Sequence, residues 1–423
     1  MQASRTTWLA RIGQAMQRHK RVILTVQWLV VLAYLALLII PAFMPIPNES
    51  AHLYNNLRLF AQFLFWGVWW PFVMLSMMLV GRVWCGVFCP EGAMTEWISL
   101  RGLGLPIPRW IRWSGWTFIA FVCTTVYGQL VSVYEYPQAA LLVLGGSSVA
   151  ALVVGYLYGR GKRVWCRYLC PANGVFALLA KIAPVHFAVD QAAWKSSHTR
   201  SHAVNCAPLI NIGHMKSASA CHSCGRCADQ HDGAVQLAGR TPASEILSLH
   251  NKDVSSEQAY TLTFGMLGIA TAAFLWSSSK WLVTLKTTLA NWLIEHDHMY
   301  ILIGGALLGG SILLCIRLAK LTIGDVNLSW QRLALGLIPV AGMGIFLGLS
   351  MLTLTHLKAE GWLPTWLAQA RIALLVLGGS FSAYLGLRLI FTQFSARRVL
   401  GYVLYLLPVA LTLTIWYRTF FVR

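Results

Sequence analysis

Nine long apolar runs govern what this chain can fold into. They fall at 22–44, 58–80, 114–136, 138–158, 259–279, 299–317, 332–355, 367–389 and 399–418. A run of about 20 apolar residues crosses a hydrocarbon layer about 30 Å thick. Inside that layer a segment must satisfy its own backbone hydrogen bonds, so each run is expected to be a helix. Composition agrees: 57% of the 423 residues are hydrophobic and 11% are charged, where a soluble domain carries roughly a quarter charged residues. The run at 259–279 ends in Ser277, Ser278 and Ser279. The stretch from Trp281 to Ile294 is short and broken by Lys286 and Asn291, and reads as an interfacial helix. The first run is too long for a signal-peptide core, and no small-residue cleavage site closes it. The fold class expected is an all-α polytopic membrane protein of about nine transmembrane helices.

The net charge of +19 follows the topology. With the N-terminus in the cytoplasm, 26 of the 33 Lys and Arg fall in the tail and in the loops near 81–113, 159–258, 317–332 and 388–398. That is the positive-inside bias, and it places the chain in a bacterial inner membrane with its N-terminus cytoplasmic. No nucleic-acid partner is needed to explain the charge. The chain divides into a four-span membrane domain (1–158), a polar cytoplasmic module (159–258) and a five-span bundle (259–423).

Eight of the ten cysteines lie in cytoplasmic loops: Cys85, Cys89, Cys166, Cys170, Cys206, Cys221, Cys224 and Cys227. The cytoplasm keeps thiols reduced, which favours metal binding over disulfides. Cys123 and Cys315 lie inside spans and read as small apolar packing residues. Cys221-His-Ser-Cys224-Gly-Arg-Cys227 has the C-x2-C-x2-C spacing of a bacterial four-iron site, with Gly225 allowing a tight turn. The usual x3-C-P continuation is missing, so a fourth ligand must come from elsewhere. Cys206 is the best candidate, with His222 and His231 as substitutes. Four cysteines also suit tetrahedral zinc, but zinc ribbons usually show two separated C-x2-C pairs.

The other four cysteines sit in an internal repeat. Arg82-Val-Trp84-Cys85-x3-Cys89-Pro90 matches Arg163-Val-Trp165-Cys166-x3-Cys170-Pro171, each just after an apolar run. Proline suits the first turn of a helix, so Cys89 and Cys170 are each expected at a helix entry, where free N–H groups favour an anion. Arg82, Lys162, Arg163 and Arg167 add positive charge nearby. A pair of interfacial anchor loops would explain the tryptophans but not four cysteines at matched spacing. Two loops of two cysteines suggest one shared site, leaving Cys206, Cys221, Cys224 and Cys227 for a second. Mixed ligation stays open, because two-cluster ferredoxins exchange their fourth cysteine.

Paired C-x3-C-P loops after membrane spans, followed by a cysteine-rich module, resemble the NapH / NosR / CcoG group of membrane polyferredoxins over residues 55–235. The form Asn205-Cys206 to Gly213 ahead of the Cys221–Cys227 run looks most like FtrD, the polyferredoxin of bacterial ferrous-iron uptake systems. The chain departs from the group in having one three-cysteine run in place of two full ferredoxin motifs. The resemblance implies a small ferredoxin-like module, [4Fe-4S] clusters (here two) and electron transfer tied to quinol oxidation or metal-centre maturation. Such a chain is an electron-transfer component rather than a stand-alone enzyme. The alternatives are copper or zinc handling by the same thiolates, and redox sensing.

The C-terminal bundle carries few chemical signals. Its ionisable groups, Arg371 and Arg388, sit near span ends, which argues against an ion pump. Glu295-His296-Asp297-His298 reads as a hydrated outer loop able to bind a periplasmic metal; Glu135 is able to meet a quinol, while its neighbours Tyr134 and Tyr136 read as interface anchors. Glycine pairs at 304–305, 309–310 and 378–379 read as close helix packing. No histidines suited to haem lie mid-membrane, and two cytoplasmic clusters do not span about 30 Å. Partners are therefore expected: membrane or periplasmic redox subunits, or in iron uptake a permease and periplasmic metal proteins.

Overall fold

A computed structural model of the chain describes residues 7–48, 50–197, 204–215, 217–276, 287 and 297–421. The protein is an all-α polytopic membrane protein. Among the described residues eight helices are long and apolar enough to cross a membrane. In chain order the elements used below are α1 (Trp8–Arg18), α2 (Lys20–Phe43), α3 (Leu57–Val80), α4 (Pro90–Ser99), α5 (Trp116–Leu130) and α6 (Pro137–Tyr158). Then come α7 (Val164–Tyr168), α8 (Asn173–Leu179), β1 (Val185–Val189), β2 (Val235–Gly239), α9 (Ser256–Leu275) and α10 (Asp297–Ile323). Last are α11 (Ile338–Ala359), α12 (Leu367–Ile390) and α13 (Ala396–Phe421).

The eight long helices follow the expected runs in order. The ninth run, 114–136, forms the shorter α5 of 15 residues. It stops because the chain turns back at Ser132, which has φ of 52°, and Val133 N–H bonds to Gly128 O at 2.9 Å. Residues 281–286 and 288–296, which hold most of the expected interfacial helix and His296, lie outside the described residues.

The chain forms two compact units: residues 1–39, 75–117 and 144–245 make the first, and residues 40–74, 118–143 and 246–423 the second. In the first unit, α4 lies against α6 with almost no side chain between them. A Cβ at Gly155 would come 2.5 Å from Thr95 Oγ1, and one at Gly159 would come 2.2 Å from Ser99 Cβ. The Thr95 hydroxyl donates to Ala151 O at 2.9 Å, and Leu103 and Leu105 N–H donate to Tyr156 O and Leu157 O, both at 2.8 Å. Small residues allow this approach. Because α4 follows the first C-x3-C-P loop and α6 precedes the second, their contact fixes the loops relative to one another.

Beyond the second loop, β1 and β2 pair antiparallel, with Phe187 opposite Leu237. The amphipathic α1, capped by Thr7, covers this hairpin, and a Cβ at Gly13 would sit 3.0 Å from Leu237 Cβ. Behind the hairpin Glu245 is 5% exposed and accepts from Lys181 Nζ (3.1 Å), Arg240 Nη1 (2.6 Å) and the Ala218 N–H (3.1 Å).

The second unit packs α10 against α9 and α13. Gly305 lies against Ile269 and Gly309 against Phe264, and in α12 Gly378 lies against Met343 and Gly379 against Leu413. Gly310 has open space around it and takes no part in the packing expected of it. Tyr405 is fully buried and donates to Ser382 O at 3.1 Å, and Arg398 pairs with Asp325 at 2.7 Å. Arg371 lies 4.4 Å over the Phe420 ring, and Arg388 donates to Tyr384 Oη at 2.9 Å.

Glu245 yields a stability prediction. Burial alone would raise its carboxyl, but Lys181, Ser217 and Arg240 outweigh it and hold the group below its ordinary value. A depressed carboxyl stabilises the fold above its unfolded value, near 4.3, and that contribution is lost as pH falls through the folded value. Glu245→Ala strands two buried cations, which costs about 3 to 5 kcal/mol. Thermal unfolding of the detergent-purified protein at pH 7 is expected to show a clear drop for Glu245→Ala, with the gap to wild type narrowing at pH 3.

Candidate metal centre

The two C-x3-C-P loops start alike and end differently. Gly81 (φ 67°) and Gly161 (φ 74°) turn the chain ahead of each loop. Trp84–Phe88 then winds as a single π-helical turn, a departure frequent at functional sites, whereas the second loop forms α7. Cys89 caps α4, its Sγ accepting from Gly92 N–H at 3.4 Å, with Pro90 in the first turn as expected. Cys170 does not hold the equivalent place. Asn173 N–H bonds to Cys170 O at 3.0 Å, which spends Pro171 and Ala172 on a turn and starts α8 only at Asn173. Asn173 is held there by its own side chain, which donates to Arg167 O at 3.2 Å.

Six of the eight thiols are raised above their ordinary values, burial being the largest cause in each. Burial pushes Cys89 up to about 12, with further push from Cys85 and Glu91. Burial likewise raises Cys166, then Cys89 and Cys170 add to it. Cys170 is raised by burial, then by Glu91, Cys89 and Cys85. In the module, burial raises Cys206, Cys221 and Cys227. Cys221 reaches about 12 under the added influence of Cys224 and Cys206, and Cys227 feels Cys221, Cys224 and Cys206. Burial of this kind disfavours the bare thiolate, and a bound cation favours it. Among the described residues no three His, Cys, Asp or Glu side chains converge on a point as a single ion requires.

The two sets press against each other at Gly86, between Cys85 and Cys89. A Cβ there would meet His222 O at 2.1 Å and the Cys224 nitrogen at 2.8 Å. Gln27 of α2, buried, donates to Gly86 O at 2.7 Å. Cys206 is drawn in from the other loop: Lys162 Nζ donates to Cys206 O at 3.1 Å, and Arg163 N–H to Ala207 O at 2.7 Å. In the three-cysteine run Gly225 has φ of 74°, and Met16 of α1 fills the space a side chain there would need. Ser223 N–H donates to Cys221 Sγ at 3.4 Å.

Two buried arginines, one from each repeat, tie these parts together. Arg163 is 1% exposed, donating through Nη1 to Cys85 O (2.6 Å) and through Nε to Glu96 (2.8 Å). Burial alone would lower this guanidinium, but Glu96, Cys166 and Cys224 raise it further above its ordinary value. Glu96, which also pairs with Arg226, is held below the usual carboxylate range once these arginines outweigh its burial. Arg82 donates to Ser219 O (2.6 Å), to Asn173 Oδ1 (2.7 Å) and to Cys85 Sγ (3.7 Å). Glu91, following Pro90, is buried beside the first set. It accepts from Trp165 Nε1 at 3.2 Å and from Ser148, which itself meets Tyr34 Oη at 2.9 Å.

The remaining sequence candidates fall elsewhere. His222 is buried; burial and then Arg82, Arg163 and Arg167 push its imidazole well below the ordinary value. His231 lies against Trp194, ring centroids 3.7 Å apart. Cys123 is exposed on α5, so it is not the packing residue expected, and Cys315 is part-buried on α10. Tyr134 packs edge-on to Trp66 at 4.8 Å, while Glu135 accepts through its backbone from Gln62. The sequence did not single out Gly86, Glu91, Glu96 or Asn173. The one signal for Gly86 is that the second repeat carries Arg167 at the matching position.

The donor chemistry fits an anionic iron–sulfur cluster. The loops carry cysteines, N–H groups of Gly92 and Ser223 point at the sulfurs of Cys89 and Cys221, and the buried Arg82 guanidinium meets Cys85 Sγ. Comparison with known proteins agrees. Residues 62–108 and 141–188, one stretch around each repeat, match the family described as 4Fe-4S binding domain. The chain is 20% identical over 247 residues to YccM of Escherichia coli, a protein named for electron transport, covering 51% of this chain and 59% of that one. It is 31% identical over 134 residues to the regulatory protein NosR of Pseudomonas aeruginosa (26% and 18% covered). It is 23% identical over 201 residues to protein RdxA of Cereibacter sphaeroides (38% and 42% covered). The chain thus spans less than two thirds of the length of each of these relatives. No solved structure matches it.

The close approach at Gly86 is open to test. Gly86→Ala forces a methyl group into the backbone of His222, so iron and acid-labile sulfide in anaerobically purified protein are expected to fall to half or less. Gly146→Ala, at a position with open space, is expected to leave both unchanged.

Proposed function

We propose that this chain is a membrane polyferredoxin that passes electrons between a quinol or cytoplasmic donor and a membrane or periplasmic partner. In this reading Cys85, Cys89, Cys166 and Cys170 hold one [4Fe-4S] cluster, and Cys206, Cys221, Cys224 and Cys227 hold a second. Each cluster, when bound, takes up and returns one electron. The observation that supports the reading is that each C-x3-C-P repeat lies in a stretch matching the 4Fe-4S binding domain, while the backbone of the three-cysteine run packs against Gly86 inside the first repeat.

The protein's own residues have distinct parts in this. The repeat loops present thiols at the mouth of α4 and in the turn ahead of α8. Gly86 brings the second set against the first, which keeps the electron's step between them short. The amphipathic α1, with Met16 on Gly225, shields the second set from water. In this reading the basic loops, and with them both sets, face the cytoplasm, as the positive-inside bias suggests. Electrons bound for a periplasmic acceptor then need further carriers, so the chain works in a complex with other redox subunits. Service to ferrous-iron uptake, with a permease and periplasmic metal proteins as partners, is the narrower form of this reading and rests on the resemblance of the Cys206–Cys227 segment.

Anaerobic purification followed by iron and sulfide analysis and EPR tests the reading. About eight iron and eight sulfide per chain are expected, from two clusters of four. Stoichiometric zinc without sulfide overturns it. Cys224→Ser is expected to remove one cluster and leave the other, and Cys89→Ser the reverse. Cys123→Ala and Cys315→Ala are expected to retain full cluster content.

A further inference from the structure

Arg82 and Arg163 occupy the same position in the two repeats, and each reaches across to the other. Arg163 lies against Gly92, three residues after Cys89, where a Cβ would come 2.9 Å from its Nη1. Arg82 bonds to Asn173, three residues after Cys170, at 2.7 Å. The symmetry then breaks. Arg163 meets the carboxylate of Glu96, seven residues after Cys89, and the matching position after Cys170 is Ala177. Arg82 therefore has no carboxylate where its twin has one.

Its surroundings bear this out. Arg82 is 3% exposed, and its three bonds go to Ser219 O, Asn173 Oδ1 and Cys85 Sγ, none of them a carboxylate. Its Nε is buried with no partner, and among the described residues no ion pair includes it. A guanidinium does not give up its proton, so burial cannot neutralise it. An unpaired buried charge is costly and calls for an anion. The sulfur it touches belongs to Cys85.

We propose that Arg82 is a positioning charge that sets the reduction potential of the cluster held by Cys85, Cys89, Cys166 and Cys170, favouring the electron there. The inference rests on the reading that these four cysteines hold a four-iron cluster. Reduction adds one negative charge to that site, and a fixed cation at hydrogen-bond range in a low-dielectric interior stabilises the reduced form. Nearby charge and hydrogen bonds to sulfur are the two controls through which a protein tunes such a potential, and Arg82 supplies both.

The test is an EPR-monitored titration of the purified full chain with dithionite and mediators, alongside iron and sulfide content. The signal of the first set is the one that persists in Cys224→Ser. In Arg82→Gln it is expected at more negative potential, by a factor of about ten or more in the redox ratio, about 59 mV for one electron. Arg82→Lys, which keeps the charge, is expected to retain most of the wild-type value. Asn173→Asp keeps the acceptor for Arg82, gives up the bond to Arg167, and neutralises the guanidinium in place. It is expected to shift the signal in the same direction with iron retained, which decides the matter even if Arg82→Gln does not fold. An unmoved potential in Asn173→Asp overturns the proposal. So does an equal shift in the Gln and Lys variants, or loss of the first cluster in both Arg82→Gln and Asn173→Asp, because Arg82 would then serve only the fold. Absence of iron and sulfide from the wild type would instead sink the underlying cluster reading.

Discussion

Arg163 is the residue on which the site's geometry depends. Its guanidinium binds the Cys85 carbonyl of the first loop and Glu96 of α4, and its own N–H binds Ala207 beside Cys206. The stretch from Cys85 to Glu96 and the segment at Ala207, far apart in sequence, are thereby held to one residue. An arginine suits this because its planar fork offers several donors in fixed directions. Its charge is tolerable at 1% exposure because Glu96 lies 2.8 Å away. A lysine would satisfy the charge but not the directions.

Around that anchor the fold works by removing side chains rather than adding them. Gly155 and Gly159 let α4 lie on α6, Gly86 lets the first loop meet the backbone of the three-cysteine run, and Gly225 leaves room for Met16. Each contact brings backbone to backbone or backbone to a side chain. In a bilayer, where lipid competes for apolar surface as well as protein does, such close approach is a main source of helix association. The second unit uses the same means at Gly305 and Gly309.

Much of this was legible in the sequence. The apolar runs identify themselves because a bilayer leaves helices as the only answer, and eight of the nine appear as long helices. The repeated R-V-W-C-x3-C-P marks the two stretches that match a 4Fe-4S binding domain. What was not legible depends on partners brought together only by folding. Nothing local marks Glu96 as the counter-charge of an arginine 67 positions later, or Asn173 as the acceptor for Arg82. The late start of α8 was missed because proline permits a helix start without requiring one. Cys123 was assigned to packing from its place in an apolar run, but such a run has an outward face too.

The cross-over of the two arginines has a consequence for how such a site can arise. A single repeat supplies two thiols and a guanidinium that points away from its own helix, so it is a half-site with nothing to close it. Only a pair of repeats makes a whole. Two identical copies would be bound to mirror each other, each arginine meeting the same residue on its neighbour. Joined in one chain, the copies are free to diverge, and here they have: a glutamate stands on one side and an alanine on the other. The repeat is thus alike in its two arginines and unlike in what they meet, so one chain holds two environments built from one pattern.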